Sequence, residues 1–313
     1  MRNLIILCLT LILILALSIV TLADDVELKD PWISEKTQGK HGGTLVSTLL
    51  GDPKTFNTII AQETSSTDIT DGFIFERLVT RNGVTTAFEP ELAKSWEISE
   101  DGTVYTFHLR RGVQWSDGVE FTADDVIFTM DVIADEDIPT STRDVMMIDG
   151  KFPEYRKIDK YTVQFKISKS FTPFLNNMTT FIIPRHKLYG AWKAGNFNDM
   201  WGVDTDPKEI VGTGPFILNE YKPGERIVMV KNDNYWRKDP EGKPLPYITK
   251  WVRVIVSSQE TKALMFEKGQ IHYYYVGGIN YNHFKKNAED GNYRMIDAGP
   301  AFSTDFLVFN MNP

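Results

Sequence analysis

Apolar and polar positions alternate most clearly between Glu89 and Phe128. Tyr105, Phe107 and Leu109 interleave with Val104, Thr106, His108 and Arg110, the period-2 pattern of a strand with one buried face. Asp101-Gly102 supplies a turn before this strand, and Trp115-Ser116-Asp117-Gly118 a second turn after it. Thr122 is followed by Asp124 and Asp125 and then by Val126, Ile127 and Phe128, which predicts an N-capped helix with acidic residues at the positive end of its dipole. Tyr161, Val163, Phe165 and Ile167 form another alternating strand.

Weaker patterns flank this block. Gly42 to Leu49 reads as a strand ended by Asp52-Pro53, and helix-like periodicity runs from Thr67 through Ile74, Phe75 and Leu78. Phe181-Ile182-Ile183-Pro184 reads as a buried strand end, 186–200 as an amphipathic segment, and GPFIL, RIVMV and WVRVIV as strands. Beyond them the pattern predicts a helix over Gln259 to Lys268, a strand over Ile271 to Val276, a helix over Tyr281 to Ala288 and a strand over Phe306 to Phe309. Strands and helices alternating in this way indicate an α/β architecture.

Residues 3–22 are almost wholly apolar behind Arg2, and TLADD at 21–25 offers small residues at cleavage spacing, so 1–23 reads as a signal peptide. The run is also long enough to span a bilayer, which keeps an uncleaved N-terminal anchor as the alternative. An acidic rather than basic flank favours cleavage. Cys8 is the lone cysteine and lies inside the apolar run, outside a lipoprotein context, so the exported part has no thiol with which to build a disulfide or a metal site. Residues 24–41 are polar and punctuated by Pro and Gly, as in a tether. The net charge of -8 argues against nucleic acid and anionic membrane as partners.

The ordered run of LA-x-SW, DG-x-x-Y-x-F-x-LR, GV-x-W-x-DG and TA-x-DV-x-F closely resembles the signature of the peptide/nickel-type (family 5) extracellular solute-binding proteins of bacterial ABC importers. Further matches are GGTL at 42–45, IFERL at 74–78, GTGPF at 212–216, KNDNYW at 231–236, FEKGQI at 266–271 and VFN at 308–310. The resemblance implies an α/β, two-lobed periplasmic binding protein-like fold (type II, cluster C-like). Lobe one would comprise 42–59 and 179–258, with 60–178 as an inserted subdomain, and 259–313 would open lobe two. Members of this family continue considerably further, and a strand such as DFLVF cannot bury its faces alone. The expectation is therefore a fragment whose second lobe is incomplete.

Catalytic constellations are absent from the sequence: there is no GxSxG elbow, HExxH helix, P-loop or CxxC pair. Gly212-Thr213-Gly214-Pro215 leads into a strand rather than a helix, which excludes a dinucleotide loop. His272 and His283 could form a metal pair, but no carboxylate or thiol stands with them at ligand spacing, so neither a metal nor a cofactor is expected. Asn177-Met178-Thr179 matches a glycosylation acceptor, a short and uninformative match. Tyr273, Tyr274 and Tyr275 read either as core packing or as a ligand-facing strand, with Gly277-Gly278 allowing close backbone approach.

The resemblance favours the ligand-facing reading and points to Tyr275, Val276 and Gly277. It adds Gln62, Glu63 and Thr64, where relatives present an extended segment that pairs with a peptide like an added strand, and Ser303 as a pocket-lining position. The implied function is non-enzymatic: an exported, periplasmic receptor that captures a di- or oligopeptide in an interlobe cleft and delivers it to membrane permease subunits, monomeric at full length. An oligosaccharide or a metal chelate is the alternative ligand. A secreted hydrolase is the rival from another class.

Overall fold

Two four-stranded sheets organise the computed structural model, which describes residues 39–83, 85–291 and 293–296. In chain order the elements are β1 (Thr44–Leu49), α1 (Thr64–Thr70), β2 (Val79–Arg81), β3 (Phe88–Pro90), β4 (Ala93–Ile98), β5 (Val104–Leu109), α2 (Ala123–Ala134), α3 (Thr142–Met146), β6 (Glu154–Asp159) and β7 (Thr162–Lys166). They continue with α4 (Phe174–Asn177), α5 (Arg185–Lys193), β8 (Phe216–Lys222), β9 (Arg226–Lys231), β10 (Lys250–Ile255), α6 (Gln259–Glu267) and α7 (Tyr281–Glu289). The first sheet has the order β1-β10-β9-β8, with β1 parallel to β10 and the other pairs antiparallel. The second, β4-β5-β7-β6, is antiparallel throughout and lies between the two contributions to the first sheet in sequence.

The alternation in β5 is realised: Tyr105, Phe107 and Leu109 are buried, and Phe107 stands opposite Val163 and Trp96 on the neighbouring strands. Helix α2 packs against β6 and β7, burying Val126, Phe128, Met130 and Ile133. Thr122 is the N-cap expected from the sequence, and it forms a capping box, in which the Thr122 hydroxyl accepts from the Asp124 N–H at 3.3 Å and the Asp125 carboxylate accepts from the Thr122 N–H at 2.9 Å. The second Asp125 oxygen accepts from the Arg185 N–H at 3.0 Å, so the same carboxylate also fixes the start of α5.

Three local expectations are overturned. The helix read over Thr67 to Leu78 ends at Thr70, because Gly72 turns the chain at φ +75° and donates to the Phe75 carbonyl at 2.9 Å. The Ile74 and Phe73 carbonyls are taken by the Gly214 and Phe216 N–H groups at 2.9 and 3.0 Å. That contact explains GTGPF: a Cβ on Gly212 or Gly214 would overlap the backbone of Ile74 and Phe73. Residues 271–276 are not a strand; the His272 N–H donates to the Val46 carbonyl at 2.9 Å on the outer edge of β1, and the chain then leaves the sheet. Phe181 makes only an isolated bridge with Arg77, although Ile182 and Ile183 are buried as expected. The segment expected as a signal at 1–23, most of the expected tether and the strand expected at Phe306 to Phe309 lie outside the described residues.

Candidate ligand-binding site

Strand β10 carries a single charge in its interior. Alternation along it puts Trp251 and Arg253 on one face, and both side chains are buried. The Trp251 indole donates to the Ser47 hydroxyl on β1 at 2.8 Å and meets Phe73 edge-on at 4.7 Å, so it is held on two sides. Arg253 lies over that indole at 5.0 Å, and one of its terminal nitrogens donates to the main-chain carbonyl of Asp68. Its other terminal nitrogen stands 4.0 Å from the Asp68 carboxylate.

This contact ties α1 to β10. With seven residues, no side-chain cap at its start and no basic residue in its last turn, α1 has little stability of its own. Gly72, whose N–H would reach the Asp68 carbonyl in a longer helix, donates to Phe75 instead, leaving that carbonyl to Arg253. At the other end the Ser66 hydroxyl accepts from the Lys54 and Thr55 N–H groups at 3.0 and 3.2 Å and donates to Glu63. Burial pushes the Glu63 carboxyl upward, but the Ser66 hydroxyl and the surrounding backbone N–H groups outweigh it and hold the pKa below the ordinary value.

The six described candidate residues fall in two places. Gln62 and Thr64 are exposed, Glu63 is half-buried with an extended backbone, and Thr64 is already the first residue of α1, so the extended stretch ends at Glu63. Tyr275 is 82 % exposed, Val276 is half-buried and Gly277 is exposed. Tyr274 turns inward between Phe266 and Phe284, with ring centroids 6.2 and 5.2 Å away. A Cβ at Gly277 or Gly278 would meet open space, so neither glycine is packed against the rest of the described chain. Ser303 lies outside the described residues.

Sequence reading missed the buried charges near the first of these places. Arg253 is 5 % exposed; burial lowers its pKa, while Tyr273, two residues before Tyr275, and Asp68 both favour its charged form. Lys262, the one buried residue of α6, is 8 % exposed and acts on the same Asp68 carboxylate. A lone arginine within WVRVIV was the available signal.

A second charge cluster lies beneath the IFERL and KNDNYW segments. Buried Glu76 accepts from the Trp236 indole at 2.8 Å and the Tyr235 hydroxyl at 3.3 Å, and Arg237 stands 3.6 Å away. Arg237 also reaches buried Glu91 at 3.3 Å, and Arg77 approaches Glu91 at 3.5 Å. Burial, and then repulsion from Glu76, push the Glu91 carboxyl up to about 7 against the pull of the two arginines. The cluster is enclosed by protein and joins three segments of the chain.

The histidines are engaged separately: His272 Nδ1 accepts from the Val46 N–H at 2.8 Å, and His283 Nε2 meets Glu267 at 2.6 Å. Among the described residues no three potential ligands converge on a metal position. Asn177 is buried and donates to the Val145 carbonyl at 3.1 Å, which removes it as a glycosylation acceptor.

Residues 87–313 match the family model described as bacterial extracellular solute-binding proteins, family 5 Middle. A probable ABC transporter-binding protein of Deinococcus radiodurans is 30% identical over 293 residues, covering 90% of this chain and 49% of the relative. The dipeptide-binding protein of Escherichia coli is 34% identical over 215 residues, covering 63% of this chain and 39% of its own length. Among solved structures, the periplasmic binding protein DppA of Helicobacter pylori, in complex with the peptide STSA, aligns with a TM-score of 0.65 at 27% identity, covering 79% of this chain and 49% of that one. The chain thus spans about half the length of the relatives it matches or less. The motif run from LA-x-SW to VFN, the two sheets and these matches agree: the chain belongs to the family 5 bacterial extracellular solute-binding proteins and has their periplasmic binding protein fold.

Proposed function

We propose that this chain is the substrate-binding component of an ABC importer, exported by its N-terminal segment, and that its ligand is a di- or oligopeptide passed on to membrane permease subunits. The observation that carries this reading is the likeness to a dipeptide-binding protein at 34% identity, together with the likeness to a binding protein solved with a bound peptide. In this reading 42–59 and 179–258 form lobe one, 60–178 is its insertion, and 259–313 opens the second lobe. Closure of two lobes by hinge motion would bury the ligand between them. No chemistry is performed on it.

Gln62, Glu63 and Thr64 would line one side of the cleft, with Glu63 the extended residue that offers main-chain pairing to a peptide. Tyr275, Val276 and Gly277 would line the other, with Ser303 nearby. A tyrosine ring left 82 % exposed forgoes roughly 2 kcal/mol of burial, which a ligand laid across it would recover. Its hydroxyl adds a directional contact at the wet end. Thermal-shift measurements with di- to pentapeptides, run beside oligosaccharides, test the reading. Peptides should raise the melting temperature and be recovered intact. A shift with oligosaccharides alone, or hydrolysed peptide, would replace it.

A further inference from the structure

We propose that Arg253 is a positioning residue of the candidate site, holding α1 and thereby Gln62, Glu63 and Thr64 in one arrangement against the sheet; this rests on the peptide-binding reading of those residues. Helix α1 is weak alone, a seven-residue helix without a side-chain cap. Arg253 meets it from β10: its guanidinium donates to the Asp68 carbonyl and stands 4.0 Å from the Asp68 carboxylate.

The guanidinium has few other places to go. Trp251 backs it at 5.0 Å, and the Trp251 indole is itself tied to Ser47 on the neighbouring strand, so the arginine stem is fixed to the sheet. A rigid strand thereby determines the height of the last turn of α1. Thr64 and Asp68 share one face of α1, one turn apart, so displacement at Asp68 is transmitted to the end that carries Gln62, Glu63 and Thr64. The planar, forked guanidinium is needed because a lysine could serve the carbonyl or the carboxylate but not both in fixed geometry.

Hydrogen exchange followed by mass spectrometry on the 313-residue protein tests this, with Arg253→Met, Arg253→Lys and a control, Val163→Ala, that weakens the second sheet instead. Arg253→Met should speed exchange of the amides in 62–70 about tenfold or more while those of α2 stay protected, with Arg253→Lys in between. Titration with trialanine should show the affinity of Arg253→Met reduced about tenfold beyond any loss in Val163→Ala. If 62–70 exchanges no faster in Arg253→Met than in the wild type, or if its trialanine affinity falls only as far as that of Val163→Ala, the positioning role is refuted. A wild-type protein carrying both lobes that ignores trialanine and other short peptides overturns the peptide reading instead, and the exchange measurement still decides whether Arg253 holds α1.

Discussion

Replacing Phe107 by alanine removes the central ring of the second sheet. Phe107 is fully buried in β5, between Trp96 on β4 and Val163 on β7, with its ring centroid 6.5 Å from that of Trp96 and 5.8 Å from that of Phe165. Those neighbours are held by the sheet ladder and by further rings, Phe165 standing 6.0 Å from Phe174, so they cannot collapse into the space. Lost burial and the residual cavity together should cost about 3 to 5 kcal/mol. In a domain of this size each kcal/mol moves the melting temperature by about 2 to 4 °C, so a fall on the order of 10 °C is expected. Thermal unfolding followed by circular dichroism measures it, with His108→Ala on the opposite face as the control. The exposed pair of His108 with Glu97 at 3.3 Å is worth at most about 1 kcal/mol. An unmoved melting temperature in Phe107→Ala, or an equal fall in His108→Ala, would mean that the buried face of β5 has been misassigned.

Three further outcomes follow from the same geometry. Glu91 has its pKa raised from 4.5 to about 7 in the folded protein, so between those values the native state holds a proton that the unfolded chain has lost, and this group's contribution to stability falls as pH rises. Glu76 is shifted in the same direction; melting temperatures from pH 5 to 8 should therefore carry a downward component that Glu91→Gln reduces, and an unchanged slope in that variant would exclude Glu91 as a source. Gly214→Ala should destabilise by about 1 to 3 kcal/mol, because its Cβ meets the Phe73 and Ile74 backbone, and a denaturation midpoint equal to the wild type would show that the segments can separate freely. Thr122→Ala should cost about 1 kcal/mol through the lost cap of α2, and a neutral result would assign the start of that helix to Asp125 alone.

Legibility in the sequence followed the reach of the interactions. The alternation in β5 and β7 and the Thr122 cap of α2 are settled by residues adjacent in sequence, and the structure reproduces them. The end of α1 was misread because Ile74, Phe75 and Leu78 have helical spacing and are indeed buried, but the carbonyls needed to continue the helix are claimed by Gly214 and Phe216, far away in the chain. The tyrosine run at 273–275 has the composition of a strand, and only His272 reaches an edge with which to pair. Gln62, Glu63 and Thr64 were visible through family resemblance, whereas Arg253 became meaningful only once β10 and α1 were seen together. Its partner is a main-chain carbonyl, which no side-chain pattern records.

Calorimetric titration of the purified protein, in a form that carries both lobes, with short peptides tests the central claim most directly. The account predicts saturable binding with one peptide per protein, no turnover, and a loss of about 1 to 3 kcal/mol on Tyr275→Ala if an otherwise exposed ring becomes a ligand contact. Saturable binding that ignores Tyr275→Ala would return that ring to the surface. Absence of peptide binding alongside saturable binding of an oligosaccharide or a metal chelate would contradict the assignment of ligand class.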